Sequence, residues 1–204
     1  MGGTLPRLAG SARVGRMRVA FKEWAVVVDA LEQGEQVLIL RKGGIAEGPG
    51  SFQVEHEEFL LFPTLYHQQG DQVIPSAATR LQELQPTLPG PDRVRIQSYA
   101  KVASWWRLES LEVAQRLRGF HVWRDEVIAD RFDWGGEQAI YALVLRVWRL
   151  AAAFELPIRP EYGGCKSWIT LATDLPIEGS KPALNDLLFD SAKIAVARAV
   201  EGRL

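Results

Sequence analysis

Cysteine occurs once in this 204-residue chain, at Cys165, so no internal disulfide is possible and the fold must rest on its core. Long apolar runs are missing too. None approaches the roughly 20 residues needed to cross a bilayer, so no membrane helix is expected. Histidine is scarce: His56, His67 and His121 are the three, and no HxH, HExxH or CxxC spacing occurs. That removes the usual short zinc motifs. An excess of positive charge is absent, the formal net charge being −1. This excludes a globally basic nucleic-acid binder but leaves room for a local basic face. The first twenty residues carry Arg7, Arg13, Arg16 and Arg18, no acid and no apolar stretch of the kind a secretory leader needs. Residues 1–17 are therefore expected to be a disordered, Gly-rich tail, and 18–204 a single α+β domain in the cytoplasm.

What is present is ordinary globular composition with an unusual number of tryptophans, seven. Over 20–33, Phe21, Trp24, Ala25, Val28 and Leu31 fall at helical spacing, and Gly34 is a natural stop. A short apolar strand is expected over 36–40, then a polar loop over 45–57 broken by Gly48, Pro49 and Gly50. A second strand is expected over 58–66, with Pro63 marking an edge or a bulge. A Pro-rich connection over 70–92 has room for a helix at 77–84. Residues 94–106 alternate between Val94, Ile96, Ala100, Val102 and Trp106 on one face and Arg95, Gln97, Tyr99, Lys101 and Trp105 on the other. Such alternation predicts a half-buried strand. A short helix at 109–117 has Ser110 near its start, and 140–150 is the strongest strand of the chain. Residues 168–171 read as a further strand. The last helix, 185–201, is capped by Asn185. Irregular loops between strands favour a curved, mostly antiparallel sheet or a small β-barrel with flanking helices.

The densest chemistry lies between Leu38 and Gln68. Arg41-Lys42-Gly43-Gly44 offers two cations and a backbone that can approach an anion closely. The phosphate-loop spacing GxxxxGK[ST] is absent. His56, Thr64 and His67 bracket the following strand and would line a pocket wall. Trp105 and Trp148 share faces with Arg95, Lys101 and Arg146, a pattern suited to base stacking beside backbone contacts. Glu47, His56 and Glu58, with Lys42, could instead form a metal-dependent phosphodiesterase site. The bland alternative for Glu55 to Glu58 is a solvated charge run. Cys165 beside Lys166 could be an activated thiol, or a small residue at a turn. A third reading uses the apolar, Pro-containing segment 59–75 as a protein-interaction surface. The cofactor is left open, and no metal site is predicted.

Three blocks, KEWAVVVDALEQGEQVLILRKGGI (22–45), FQVEHEEFLLFPTLYHQ (52–68) and YGGCKSWITL (162–171), with ALVLRVWRL (142–150), resemble a bacterial family, domain-of-unknown-function family 1802. That resemblance implies no activity. The order of a helix carrying Trp24, a turn at Gly34 and a strand ending Leu40-Arg41-Lys42 is similar to the opening of ASCH-type domains, which are PUA-like β-barrels. Glu35 stands where that class has lysine. The layout implies a PUA-like fold and binding of RNA or a nucleotide-containing ligand through Arg41, Lys42, Gly43 and Gly44.

Overall fold

The structure, a computed structural model, describes residues 2–4, 15–42, 56–65, 69–136, 138–164 and 166–203. Its elements in chain order are β1 (Gly2–Thr4), β2 (Arg16–Trp24), α1 (Ala25–Gln33), β3 (Leu38–Arg41), β4 (Glu58–Thr64), α2 (Gln69–Gln72), α3 (Pro75–Leu84), β5 (Arg93–Leu108), α4 (Leu111–Arg116), α5 (Asp125–Asp133), β6 (Ile140–Pro157), β7 (Trp168–Pro176), β8 (Lys181–Pro182) and α6 (Asp186–Glu201). The main path of the sheet runs β3-β6-β5-β4-β2-β7, with β1 on β5 and β8 on β6. The β2–β4 pair is parallel, and the other pairings are antiparallel. The fold is thus α+β on an open, mostly antiparallel mixed sheet.

The long antiparallel β5–β6 pair is the spine. Its ladder runs from Arg93↔Pro157 to Leu108↔Ile140, with register shifts after Ile96 and after Val102. The expected alternation holds along β5 as far as Ser104, then fails at Trp105 and Trp106, both half-buried beyond the second shift.

Residues 20–24 are a correction to the expected helix. They extend β2, pairing with β4 on one side and, over Val19 to Phe21, with β7 on the other. The helix starts only at Ala25. The spacing misleads because β2 and β4 are covered on both faces. Phe21, Phe59 and Leu61 enter the large core under the helices, whereas Ala20, Leu60 and Phe62 join a second cluster with Ile96, Tyr162 and Leu171. A strand buried on both faces shows no period of two. Pro63 likewise sits on an inner strand, not an edge. It lies beyond the β4–β5 ladder, which spans Glu58 to Leu60, so its missing N–H removes no bond there. Strand β2 also begins within the expected tail, at Arg16. Helix α5 went unpredicted.

Two polar contacts fix α1, one to the sheet and one to α3. Buried Glu32 on α1 accepts from Ser98 Oγ and Gln97 Nε2, each at 2.6 Å. Burial pushes its carboxyl pKa up despite those bonds. Asp29, one turn earlier, takes Arg80 of α3 at 2.8 and 3.2 Å.

Candidate nucleic-acid interface

The ends of β2, β3 and β7 converge on Glu23. Its side chain is 2% exposed. One oxygen accepts the Trp24 backbone N–H at 2.8 Å, and the other lies 3.4 Å from Arg41 Nη1. Arg41 Nη2 reaches on to Ser167 Oγ at 2.7 Å, and its guanidinium carbon stands 4.8 Å from the Phe21 ring centre. One side chain from the β3 end of the sheet thereby bridges to β2 and to the residue preceding β7. The Thr64 hydroxyl donates to the Glu23 carbonyl at 3.1 Å. The His56 ring meets Trp168 edge-on, with centres 5.1 Å apart. The Trp168 indole N–H is buried without a partner among the described residues.

A second guanidinium belongs to this cluster. Arg131 of α5 lies 3.8 Å from the Trp123 ring centre, and Trp123 in turn packs on Trp24 at 4.5 Å. Arg131 Nη1 donates to the Leu40 carbonyl at 3.3 Å. Desolvation lowers the Arg131 pKa to about 10, with Glu23 opposing the shift and Arg41 reinforcing it. The group is still a cation at neutral pH.

The structure therefore brings together Arg41, His56 and Thr64 of the residues singled out by sequence. Lys42 faces elsewhere: its ammonium donates to the Phe132 and Ala139 carbonyls at 2.7 and 3.0 Å, holding the end of α5. Gly43, Gly44, Glu47, His67 and Cys165 lie outside the described residues. Glu58 is paired with Lys101 at 3.1 Å. No group of three potential metal ligands occurs among the described residues. Trp148 stacks on Tyr99 at 5.1 Å and 7°, with Arg146 at 5.7 Å. It is far from Arg41, however. Arg41 pairs with Tyr141, and Trp148 lies seven residues further along β6, roughly 23 Å at strand rise. Trp105 is nearer in register, opposite Leu143, and is half-buried against the main core. Residues 59–62, the heart of the expected protein-interaction surface, are buried inside the sheet, which removes them from any surface role.

Sequence reasoning missed Glu23 and Arg131. Glu23 read as one polar position in an apolar helix. Arg131 sits in a helix that showed only two core positions, Ile128 and Phe132. A separate cleft of about 370 Å³ lies between α1, α3 and the link at 119–122, and none of the expected site residues lines it.

The family model Domain of unknown function (DUF1802) matches residues 20–194. The chain belongs to this family. The DUF1802 match runs from the middle of β2 to the middle of α6 and so includes the whole Glu23 cluster. No curated protein matches the sequence significantly. Among solved structures, the DUF1802 chain is similar to the crystal structure of ASCH from Zymomonas mobilis, with 12% identity and a TM-score of 0.43 over 76% of this chain and 87% of that one. A serine-to-alanine variant of the same protein gives 12% and 0.43, over 79% and 92%. No described helix is long and apolar enough to cross a membrane.

Proposed function

We propose that this protein binds a phosphate-bearing ligand, an RNA strand or a nucleotide, at the Glu23–Arg41–Arg131 end of the sheet, in the cytoplasm. The observation that carries this reading is charge imbalance. Among the described residues, two half-buried guanidinium groups face one buried carboxylate, and each already lies against an aromatic ring. Glu23 can neutralise one of them. The surplus cation, in a site of reduced solvation, favours an anion with several acceptor oxygens. The unpartnered Trp168 N–H adds a donor nearby. Thr64 and His56 would flank the bound group. Lys42 contributes by anchoring α5, and through it Arg131, rather than by gripping phosphate itself. The stacked Tyr99–Trp148 pair would meet a different nucleotide of a longer strand.

Short single-stranded RNAs, titrated by fluorescence anisotropy between about 50 and 200 mM salt, test the reading. Affinity should fall steeply with salt. Arg131→Gln should lower the salt slope by about 0.7, the value for one lost single-strand phosphate contact. Absent or salt-insensitive binding sinks the proposal.

A further inference from the structure

The cleft between α1, α3 and the 119–122 link has the opposite electrostatic character. Its rim carries Asp29, Glu35 and Glu83 against a single arginine, Arg80. Arg80 already uses Asp29, at 2.8 Å, and Glu83, at 3.3 Å. The acids still outnumber it. Glu35 is exposed at the mouth, within reach of anything that enters.

The wall holds a donor that no described side chain or carbonyl uses. His121 is 6% exposed, and its Nδ1 accepts the Trp123 backbone N–H at 3.2 Å. That bond fixes the neutral ring as the Nε2–H tautomer. No acceptor for Nε2–H occurs among the described residues, and the ring lines the cleft. Gln36, also in the wall, donates Nε2–H to the Leu38 carbonyl at 2.8 Å, and its Oε1 has no donor among the described residues. Val26, Ala30, Ile74, Ala77 and Phe120 make the remaining walls largely apolar. A volume near 370 Å³ is in the range of small-molecule sites.

We propose that this cleft binds a small cationic molecule that carries a guanidinium or ammonium group at one end and a carbonyl acceptor at the other. The cation sits at the Glu35–Glu83 rim. The carbonyl accepts from His121 Nε2–H at the back. Apolar walls cover the carbon chain between them.

Nα-Acetyl-L-argininamide and its uncharged isostere Nα-acetyl-L-citrullinamide are the probes, titrated into the full chain by calorimetry and by ¹⁵N shifts of the His121 ring. The arginine compound should bind saturably, shift the His121 Nε2 resonance and exceed the citrulline compound in affinity by about tenfold or more, as loss of a charge-assisted bond requires. Thr79→Trp, at an exposed rim position, should abolish binding, and Glu35→Gln should weaken it several-fold. Saturating short RNA should leave the titration unchanged, which separates this site from the anion site. No saturable binding, equal affinity for the two probes, or full binding by Thr79→Trp would each overturn the proposal.

Discussion

At the scale of single residues, two positions carry more than their size suggests. Gly34 ends α1 at φ 74°, where its N–H closes on the Ala30 and Leu31 carbonyls. A Cβ there would stand 2.6 Å from Leu184 Cδ2. Gly34→Ala should therefore lose about 1–2 kcal/mol for the left-handed backbone alone, and more from the contact with Leu184, seen as an earlier urea midpoint. His121 makes stability depend on pH. Burial holds its imidazole pKa down to about 4, against an ordinary value of 6.5. The unfolded chain thus binds the proton more readily, and stability from this group is fully present above pH 6.5. It is lost as pH falls from there towards 4, to a total of about 3 kcal/mol. Glu32, whose folded pKa is raised, acts with the opposite sign: stability falls as pH rises above its unfolded value near 4.5. The two windows overlap, so the decisive comparison is the wild type against His121→Phe. The variant should lose the rise in stability between pH 4 and 6.5 and keep the opposing fall from Glu32, and an unchanged slope would remove His121 as its source.

At the scale of elements, capping and burial decide what forms. Asn185 starts α6 by accepting the Leu188 N–H at 2.9 Å through its side chain. Asn185→Ala should cost about 1 kcal/mol and Asn185→Asp little, measured by thermal unfolding. Phe189, buried beneath the same helix with Arg146 4.6 Å from its ring centre, should cost about 3–5 kcal/mol as Phe189→Ala. Elements with a one-sided pattern, such as β5, or a strong cap, such as α6, were legible in the sequence. Strand β2 was not, because burial on both faces erases alternation and its Phe21–Trp24 spacing mimics a helix running into α1. Helix α5 was hidden for the opposite reason. Its apolar content is two positions, and its visible marks are Asp125 and Glu126 in the first turn and Arg131 in the last. The candidate site was half legible. Arg41, His56 and Thr64 lie in the dense 38–68 segment, but Glu23, 18 residues before Arg41, was hidden by the helix-like spacing of β2, and Arg131, 91 residues beyond Leu40, lies where spacing carries no information.

At the scale of the whole molecule, stability should be graded from the spine outward. The antiparallel β5–β6 pair bonds over nearly its full length and carries core residues Val102, Leu143 and Leu145. Amides there should be the slowest to exchange with solvent, and those of two-residue β8, paired only through Trp148 and Arg149, among the fastest, as read by hydrogen–deuterium exchange. Comparable rates in the two places would contradict this hierarchy.

The pairing of β2 with β7 has a consequence during synthesis. Roughly 150 residues separate the two strands, so at about 5–20 residues per second the ribosome needs on the order of 10–30 s to supply the partner. Throughout that interval one edge of β2, with Phe21 and Ala20, has no strand beside it. The nascent chain is then at its most exposed to chaperones and to pairing with a neighbouring copy, and the same strand that positions Glu23 in the finished protein is the one that must wait longest for its place.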